Sequence, residues 1–255
     1  MQTVLFHSTI FGPIHSRRLG TSLGVNLSPD DGKVCSFDCR YCEAGFNAQG
    51  TGTTGLPPRQ EVRRQLEAKL SQMKAAGEGL DVITFSGNGE PTMHPEFAGI
   101  IDDTLALRDR YFPDVKVSVL TNATRLRKPE VVEALRRVDN NILKLDSALT
   151  PTMRAIDRPV DKDFTAERAI ADLEQFRGTG VIQTMLLRGS EFDNTTEPEL
   201  AALAEAYRRI GPREVMLYSI DRPTPDKTLT RVMPDELKEY AQRLSEISGI
   251  HVYAY

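Results

Sequence analysis

The feature that most constrains the fold is a repeated alternation of two hydrophobic patterns along the 255 residues. Short apolar runs typical of buried strands alternate with longer segments whose apolar residues recur with the helical period. The predicted strands are residues 22–27, 80–85, 115–120, 141–146, 181–187 and 214–220, with 251–255 as a closing strand. The predicted helices are residues 59–74, 94–110, 129–138, 164–176, 198–210 and 234–247.

This alternation predicts about six β-α units, and hence a parallel sheet with right-handed crossovers. A closed eight-unit barrel typically takes about 250 residues or more. Because this chain also has long loops, we expect an α/β fold with an open, partial (β/α)6 barrel of parallel strands. It would form a single domain over residues 1–255, with a cysteine-bearing loop at about 30–46 and a C-terminal strand at about 250–255.

Polar loops follow four of the predicted strands. They are the cysteine-bearing loop, the sequence SGNGEP at residues 86–91, TNAT at 121–124 and the turn at Asp146 and Ser147. Ligands of parallel α/β folds bind at the carboxyl ends of the strands. The topology alone therefore predicts that these four segments meet at one edge of the sheet.

All three cysteines of the chain, Cys35, Cys39 and Cys42, lie within the eight residues CSFDCRYC. An odd number of clustered thiols indicates a metal rather than a disulfide. Three thiolates can hold three irons of a four-iron cluster and leave the fourth iron without a protein ligand. Zinc remains an alternative, and its fourth ligand would come from one of the four histidines, such as His15 or His94.

The segment CSFDCRYC resembles the signature of the radical S-adenosylmethionine (SAM) enzymes, with Tyr41 as the aromatic residue before the third cysteine. The resemblance implies a partial barrel that binds an oxygen-sensitive [4Fe–4S] cluster and SAM. It also implies that the open iron chelates the amino and carboxylate groups of SAM. Reductive cleavage of SAM would then give a 5′-deoxyadenosyl radical that abstracts a hydrogen atom from an organic substrate. The electron would come from an external reductant of the flavodoxin or ferredoxin type.

Residues Gly87, Asn88, Gly89 and Glu90 follow the second predicted strand. They resemble the Gly-Gly-Glu-Pro motif of the same family, with Asn88 in place of the second glycine. The resemblance implies that this segment binds the SAM amino group, and the Glu90 carboxylate is a candidate contact for that ammonium. On turn chemistry alone, the segment would equally suit a tight turn with a solvated acid.

Two further candidates for SAM contacts, Asn122 and Ser147, stand at the ends of later strands. Their place in the family fold implies contacts to the carboxylate or ribose of SAM. Side chains of these types also cap turns, and that alternative remains open.

Four arginines lie in loops that would border the same edge: Arg17, Arg18, Arg158 and Arg222. A guanidinium there could bind a carboxylate or phosphate of the substrate in a bidentate way. The alternative is an ordinary surface ion pair, for example with the neighbouring acids Asp157 or Asp221.

From about residue 11 to residue 222 the chain resembles proteins related to the tRNA wyosine synthases. The wyosine synthases that condense pyruvate hold a second four-iron cluster on additional cysteines. This chain has no further cysteine, so that reaction is not expected. The net charge of −4 is a mild argument against tRNA as a substrate.

The expected function is therefore a single-cluster radical SAM enzyme acting on a small molecule, a peptide or a protein, including activation of a glycyl-radical enzyme. Alternatives from other classes are a non-catalytic iron–sulfur sensor or electron carrier and a structural zinc domain. The sequence shows neither a secretory leader nor an 18-residue apolar run, so we expect a cytoplasmic protein with no membrane partner.

Overall fold

A computed structural model of the protein describes residues 4–255. Its strands, in chain order, are β1 (Ile10–Ser16), β2 (Gly20–Val25), β3 (Val82–Phe85), β4 (Lys116–Thr121), β5 (Asn140–Lys144), β6 (Val181–Met185), β7 (Leu187–Arg188), β8 (Glu214–Tyr218), β9 (Thr230–Arg231) and β10 (Val252–Ala254). Eight of them form one sheet in the order β1-β2-β3-β4-β5-β6-β8-β10, and β7 pairs with β9 separately.

Within the eight-stranded sheet, β2, β3, β4, β5, β6, β8 and β10 run parallel, and only β1 pairs antiparallel, as a hairpin with β2. β1 and β10 are the two edges of the sheet, so the barrel is not closed. Six β-α units followed by a closing strand confirm the predicted partial (β/α)6 fold.

The helices are α1 (Arg59–Ala76), α2 (Phe97–Tyr111), α3 (Pro129–Arg137), α4 (Thr150–Asp157), α5 (Ala166–Leu173), α6 (Glu197–Ile210) and α7 (Pro234–Ser248). All six predicted helices are present. In α1, for example, the buried residues recur with the helical period, and Gly77 ends the helix in the left-handed conformation; they are Val62, Leu66, Leu70 and Met73. No helix within residues 4–255 is long and apolar enough to cross a membrane.

Three local differences from the prediction have physical causes. Helix α2 begins at Phe97 rather than at residue 94, because Pro95 favours extended backbone at His94. The edge strand β1 was not predicted, because Gly12 and Pro13 interrupt the sequence pattern that is typical of a strand. Helix α4 has only 8 residues, too few to show a helical period.

Candidate functional site

A cavity of about 550 Å³ opens inside the barrel, within the range of small-molecule sites. One side is formed by Tyr41, Cys42 and the beginning of the SGNGEP loop (residues 86–91). The lining also includes the β1–β2 turn and residues 218–222, at and after the end of β8. The cavity thus joins the cysteines to the candidate arginines.

The cysteine loop (residues 30–46) is held by backbone hydrogen bonds to the end of α4. The amide of Asp38 donates to the carbonyl oxygen of Asp157 at 3.0 Å, and the amide of Arg40 donates to that of Ile156 at 3.0 Å. The amide of Val160 donates to the carbonyl oxygen of Ser36 at 2.9 Å. Helix α4, which the sequence pattern did not reveal, therefore fixes the position of the cysteines.

Cys35, Cys39 and Cys42 are all free thiols and half-buried. Burial, with a further contribution from Glu90, raises the pKa of Cys35 to about 12, and burial raises that of Cys39 well above its usual range. A thiol in such surroundings loses its proton when a metal replaces it. Within residues 4–255, no three His, Cys, Asp or Glu side chains converge on a single metal ion. Three soft donors on one loop fit a multi-iron cluster, in which each thiolate binds its own iron.

The SGNGEP loop docks on the residue that precedes the first cysteine. Gly89 pairs with Val34 in an isolated parallel bridge, and the amide of Glu90 donates to the carbonyl oxygen of Val34 at 2.9 Å. A Cβ at position 89 would overlap that same carbonyl oxygen. Gly89 is therefore required by a close backbone approach between the two loops.

Glu90 is buried, and its carboxylate accepts four hydrogen bonds from the protein. The amide and hydroxyl of Thr92 donate at 3.1 and 2.5 Å, the hydroxyl of Thr121 at 2.6 Å and the amide of Asn122 at 2.7 Å. Burial raises the pKa of Glu90, while these hydrogen bonds oppose the shift. The carboxylate thus joins the SGNGEP loop to the end of β4, and this arrangement favours a positioning role over a direct contact with SAM.

Asn88 is fully buried and points away from the cavity. Its side-chain oxygen accepts from the amide of Phe6 at 2.8 Å, and its Nδ2 donates to the carbonyl oxygens of Phe6 and Pro29, both at 2.9 Å. Where the motif that this segment resembles has its second glycine, the amide of Asn88 thus holds the N-terminal segment at Phe6.

Asn122 and Ser147 differ in what they contact. Nδ2 of Asn122 donates to Sγ of Cys35 at 3.6 Å and to the hydroxyl of Ser36 at 2.9 Å, so this side chain lies at the cysteine loop. The hydroxyl of Ser147 is buried and donates to Glu199 in α6 at 2.6 Å. A SAM contact remains a prediction for both residues, and the geometry favours it for Asn122.

A buried charge network that the sequence did not reveal as a unit lies beside the cysteines. Lys144 contacts Asp146, and its Nζ lies 3.0 Å from Oδ1 of Asp157. The hydroxyl of Tyr41 donates to Asp146 at 2.6 Å, and Sγ of Cys39 lies 3.5 Å from Oδ1 of Asp157. Burial opposes the charge of Lys144, but the two carboxylates outweigh it and raise the pKa of Lys144 well above its usual range.

The predicted convergence of four loops is confirmed by these contacts: Val34 to Gly89, Asn122 to Cys35 and Tyr41 to Asp146. Each contact joins the cysteine loop to the end of a different strand. These joined segments, namely the cysteine loop, the SGNGEP loop and residues 121–124 and 144–147, are here termed the cofactor wall; they reach the cavity through residues 41–44, 86 and 87.

Three of the four candidate arginines have acidic partners. Arg17 lies 3.1 Å from Asp221, and Arg222 lies 2.8 Å from Glu43, both pairs bordering the cavity. Arg158 lies 3.5 Å from Asp38 and above the ring of Phe46, against the cysteine loop and outside the cavity.

Arg18 forms no ion pair within residues 4–255, and its guanidinium carbon lies 4.7 Å from the centroid of the Tyr218 ring. Nε2 of Gln183 donates to the hydroxyl of Tyr218 at 2.6 Å. Gln183 and Met185, which lie on the same face of β6, line the cavity. The β1–β2 turn, with Arg17, Arg18 and Leu19, and residues 218–222 form what is here termed the turn wall.

Comparison with known proteins gives a consistent result. A family model described as the radical SAM superfamily matches residues 31–187. A UPF0026 protein of Helicobacter pylori (strain J99) is 31% identical over 235 residues, covering 89% of this chain and 71% of the relative. A radical SAM methyltransferase from Sphaerobacter thermophilus aligns at a TM-score of 0.69 and 19% identity, covering 92% of this chain and 65% of that one. The structure of TYW1 with a lysine-pyruvate adduct bound aligns at a TM-score of 0.62 and 17% identity, covering 90% of this chain and 75% of that one.

Proposed function

Because the chain belongs to the radical SAM superfamily, we propose that it generates a radical from SAM to remove a hydrogen atom from an organic substrate. The cofactors of this family are a [4Fe–4S] cluster and SAM. When bound, they supply a 5′-deoxyadenosyl radical by one-electron reductive cleavage of the carbon–sulfur bond of SAM. The electron would come from an external reductant of the flavodoxin or ferredoxin type.

The observation that carries this proposal is the placement of three cysteines, and no fourth, on one loop at the cavity. Cys35, Cys39 and Cys42 would each hold one iron, and Cys42 itself lines the cavity. The fourth iron would face the space where SAM must bind. The contact from Nδ2 of Asn122 to Sγ of Cys35 would orient one of these ligands.

The remaining residues of the cofactor wall would shape the SAM site. Gly87 lines the cavity with its backbone, and a Cβ at this position would overlap the side chain of Asn26. Glu90 holds that loop in place through its four hydrogen bonds. Tyr41 and Asp146 would set the polar surface beside the cluster.

The site favours a small-molecule substrate over tRNA or a protein. The cavity has the volume of a small-molecule site, and the net charge of −4 does not suit a polyanion. The three cysteines provide for one cluster only, so we do not propose the two-cluster reaction of the wyosine synthases. A cytoplasmic location, where thiols stay reduced, remains a prediction from the sequence.

Anaerobic reconstitution tests the proposal. The purified protein should be brown, contain about four irons and four sulfides per chain, and form 5′-deoxyadenosine from SAM once reduced. Cys39→Ala should lose the cluster and the product, whereas the exposed control Lys238→Ala should keep both. Colourless protein with one zinc would support the structural zinc domain instead. A complete cluster that yields no product would support the electron carrier.

A further inference from the structure

The charges around the cavity leave one cation without a counter-charge. Arg17 is paired with Asp221, and Arg222 is paired with Glu43. Arg18 lines the same cavity and has no acidic partner within residues 4–255. With these two ion pairs counted as neutral, Arg18 is the one unpaired cation that the turn wall presents to the cavity among residues 4–255.

One nitrogen of that guanidinium lacks any hydrogen-bond partner. Nη1 of Arg18 is fully buried, and it is the one unpartnered buried side-chain atom within residues 4–255 that belongs to a residue lining the cavity. An unpaired buried donor costs about 1–3 kcal/mol, and more when it is charged. The ring of Tyr218 offsets part of this cost through a cation–π contact, but it does not accept a conventional hydrogen bond from Nη1.

A second donor lies beside this cation. The hydroxyl oxygen of Tyr218 accepts from Gln183, and within residues 4–255 no acceptor is recorded for its own hydrogen. Burial raises the pKa of Tyr218, so the phenol keeps that hydrogen at neutral pH. Arg18 and Tyr218 can thus both donate to an anion in the cavity.

The backbone holds Arg18 in this position. The amide of Thr21 donates to the Asp81 carboxylate at 2.7 Å, and the amide of Asp81 donates to the carbonyl oxygen of Thr21 at 3.0 Å. Gly20, between Arg18 and this anchor, has the positive φ of 80° that the turn requires. The backbone that carries Arg18 is therefore anchored to the sheet close by, and the ring of Tyr218 packs against the guanidinium.

We propose that Arg18, with Tyr218, binds the carboxylate of a small organic acid that is the substrate of this protein; its role as substrate rests on the proposed function. One cation matches one negative charge, so a carboxylate fits better than a phosphate dianion. Cys42 and Gly87 line the same cavity, so the bound acid would share that cavity with the cofactors.

Binding can be measured without any turnover. The reconstituted protein with SAM would be titrated with acetate, propionate, succinate and benzoate, and with inorganic phosphate and methyl phosphate, at constant ionic strength. Saturable thermal stabilisation reports the dissociation constant of each acid. We expect at least one carboxylate to bind more tightly than either phosphate.

Variants assign that binding to Arg18. Arg18→Gln should weaken it by about tenfold or more, corresponding to about 1.4 kcal/mol. Arg18→Lys should weaken it by less, because a lysine keeps the charge and loses the planar fork. Tyr218→Phe should weaken it through the lost donor. The control Arg136→Gln, at an exposed pair on α3, should bind as the wild type does.

Several results would overturn the proposal: no saturable carboxylate binding, tighter binding of phosphate, an unchanged constant in Arg18→Gln, or an acid that competes with SAM. If Arg18→Gln does not fold, Arg18→Lys and Tyr218→Phe decide the question.

The test separates the two proposals. A protein that binds the acid but does not cleave SAM refutes the radical function alone, and one that cleaves SAM but binds no acid refutes the acid site alone.

Discussion

The two walls of the cavity hold their charges in opposite ways. In the cofactor wall, the side chains of Lys144 and Asp146 are 13% and 0% exposed and are tied to Tyr41. In the turn wall, the side chains of Arg17 and Asp221 are 59% and 54% exposed and form a single ion pair. One wall is a buried, multiply bonded network, and the other is a half-solvated rim.

This difference separates two requirements of the site. Groups that orient a cofactor act best when they are rigid and excluded from water. Exposed pairs contribute little stability, so their residues can change without loss of the fold. We infer that the cofactor wall is fixed by folding, whereas the turn wall sets the choice of substrate.

The largest loss of stability is expected at Lys144. Lys144→Met leaves Asp146 and Asp157 buried without their cation, which should lower the free energy of unfolding by about 3–5 kcal/mol. Chemical denaturation followed by circular dichroism measures this change. Lys238→Met removes an exposed lysine and should cost less than about 1 kcal/mol. Equal losses in the two variants would show that the buried network does not support the wall.

A smaller effect is expected at Glu90. In Glu90→Gln, an amide nitrogen replaces one acceptor oxygen, so at least one donor among Thr92, Thr121 and the Asn122 amide loses its partner. The variant should lose about 1–3 kcal/mol of stability and bind SAM more weakly, with the cluster's absorption retained. Equilibrium dialysis with labelled SAM measures the affinity. The control is Glu239→Gln, which changes an exposed glutamate. If Glu90→Gln binds SAM as tightly as this control does, Glu90 does not contribute to the SAM site.

In the turn wall, Arg17→Gln should change stability by less than about 1 kcal/mol, because the pair with Asp221 is mostly solvated. Raising the salt concentration should reduce even this difference. Thermal melts at low and high salt test the expectation. If Arg17→Gln lowered the free energy of unfolding as much as Lys144→Met does, the two walls would not differ in how their charges support the fold.

The smallest expected effect is a dependence of the free energy of unfolding on pH, caused by His94. Nε2 of His94 lies 3.0 Å from the carbonyl oxygen of Pro57, and its Nδ1 accepts from the amide of Glu96 at 3.1 Å. Burial lowers the pKa of His94, so the unfolded chain takes up its proton first on acidification.

The contribution of His94 is therefore complete above the unfolded pKa of about 6.5 and falls as the pH drops towards the lower folded value. Between about pH 7.5 and 5.5, His94→Gln should lose less stability than the wild type does. Unfolding curves of both proteins at the two pH values measure these losses. An equal loss of stability in the wild type and in His94→Gln would contradict this assignment.

The sequence predicted the cofactor wall better than the turn wall. Cysteine spacing and strand-end motifs are local, and parallel topology brings strand ends together. The network of Lys144 with Asp157 depends on how α4 packs, and an 8-residue helix leaves little pattern to read. The sequence could not show that Arg18, among the four candidate arginines, is the one without an acidic partner. The acids that pair with the other three lie far away in the chain.

The most direct test of the account is the electron paramagnetic resonance spectrum of the reduced protein, recorded before and after SAM is added. A cluster held by Cys35, Cys39 and Cys42 has an open iron, so SAM binding there should shift the spectrum. We predict a clear shift for the wild type and a half-saturation at higher SAM concentration for Glu90→Gln. A four-iron spectrum that SAM leaves unchanged would contradict the central claim that this cavity joins an open iron to SAM.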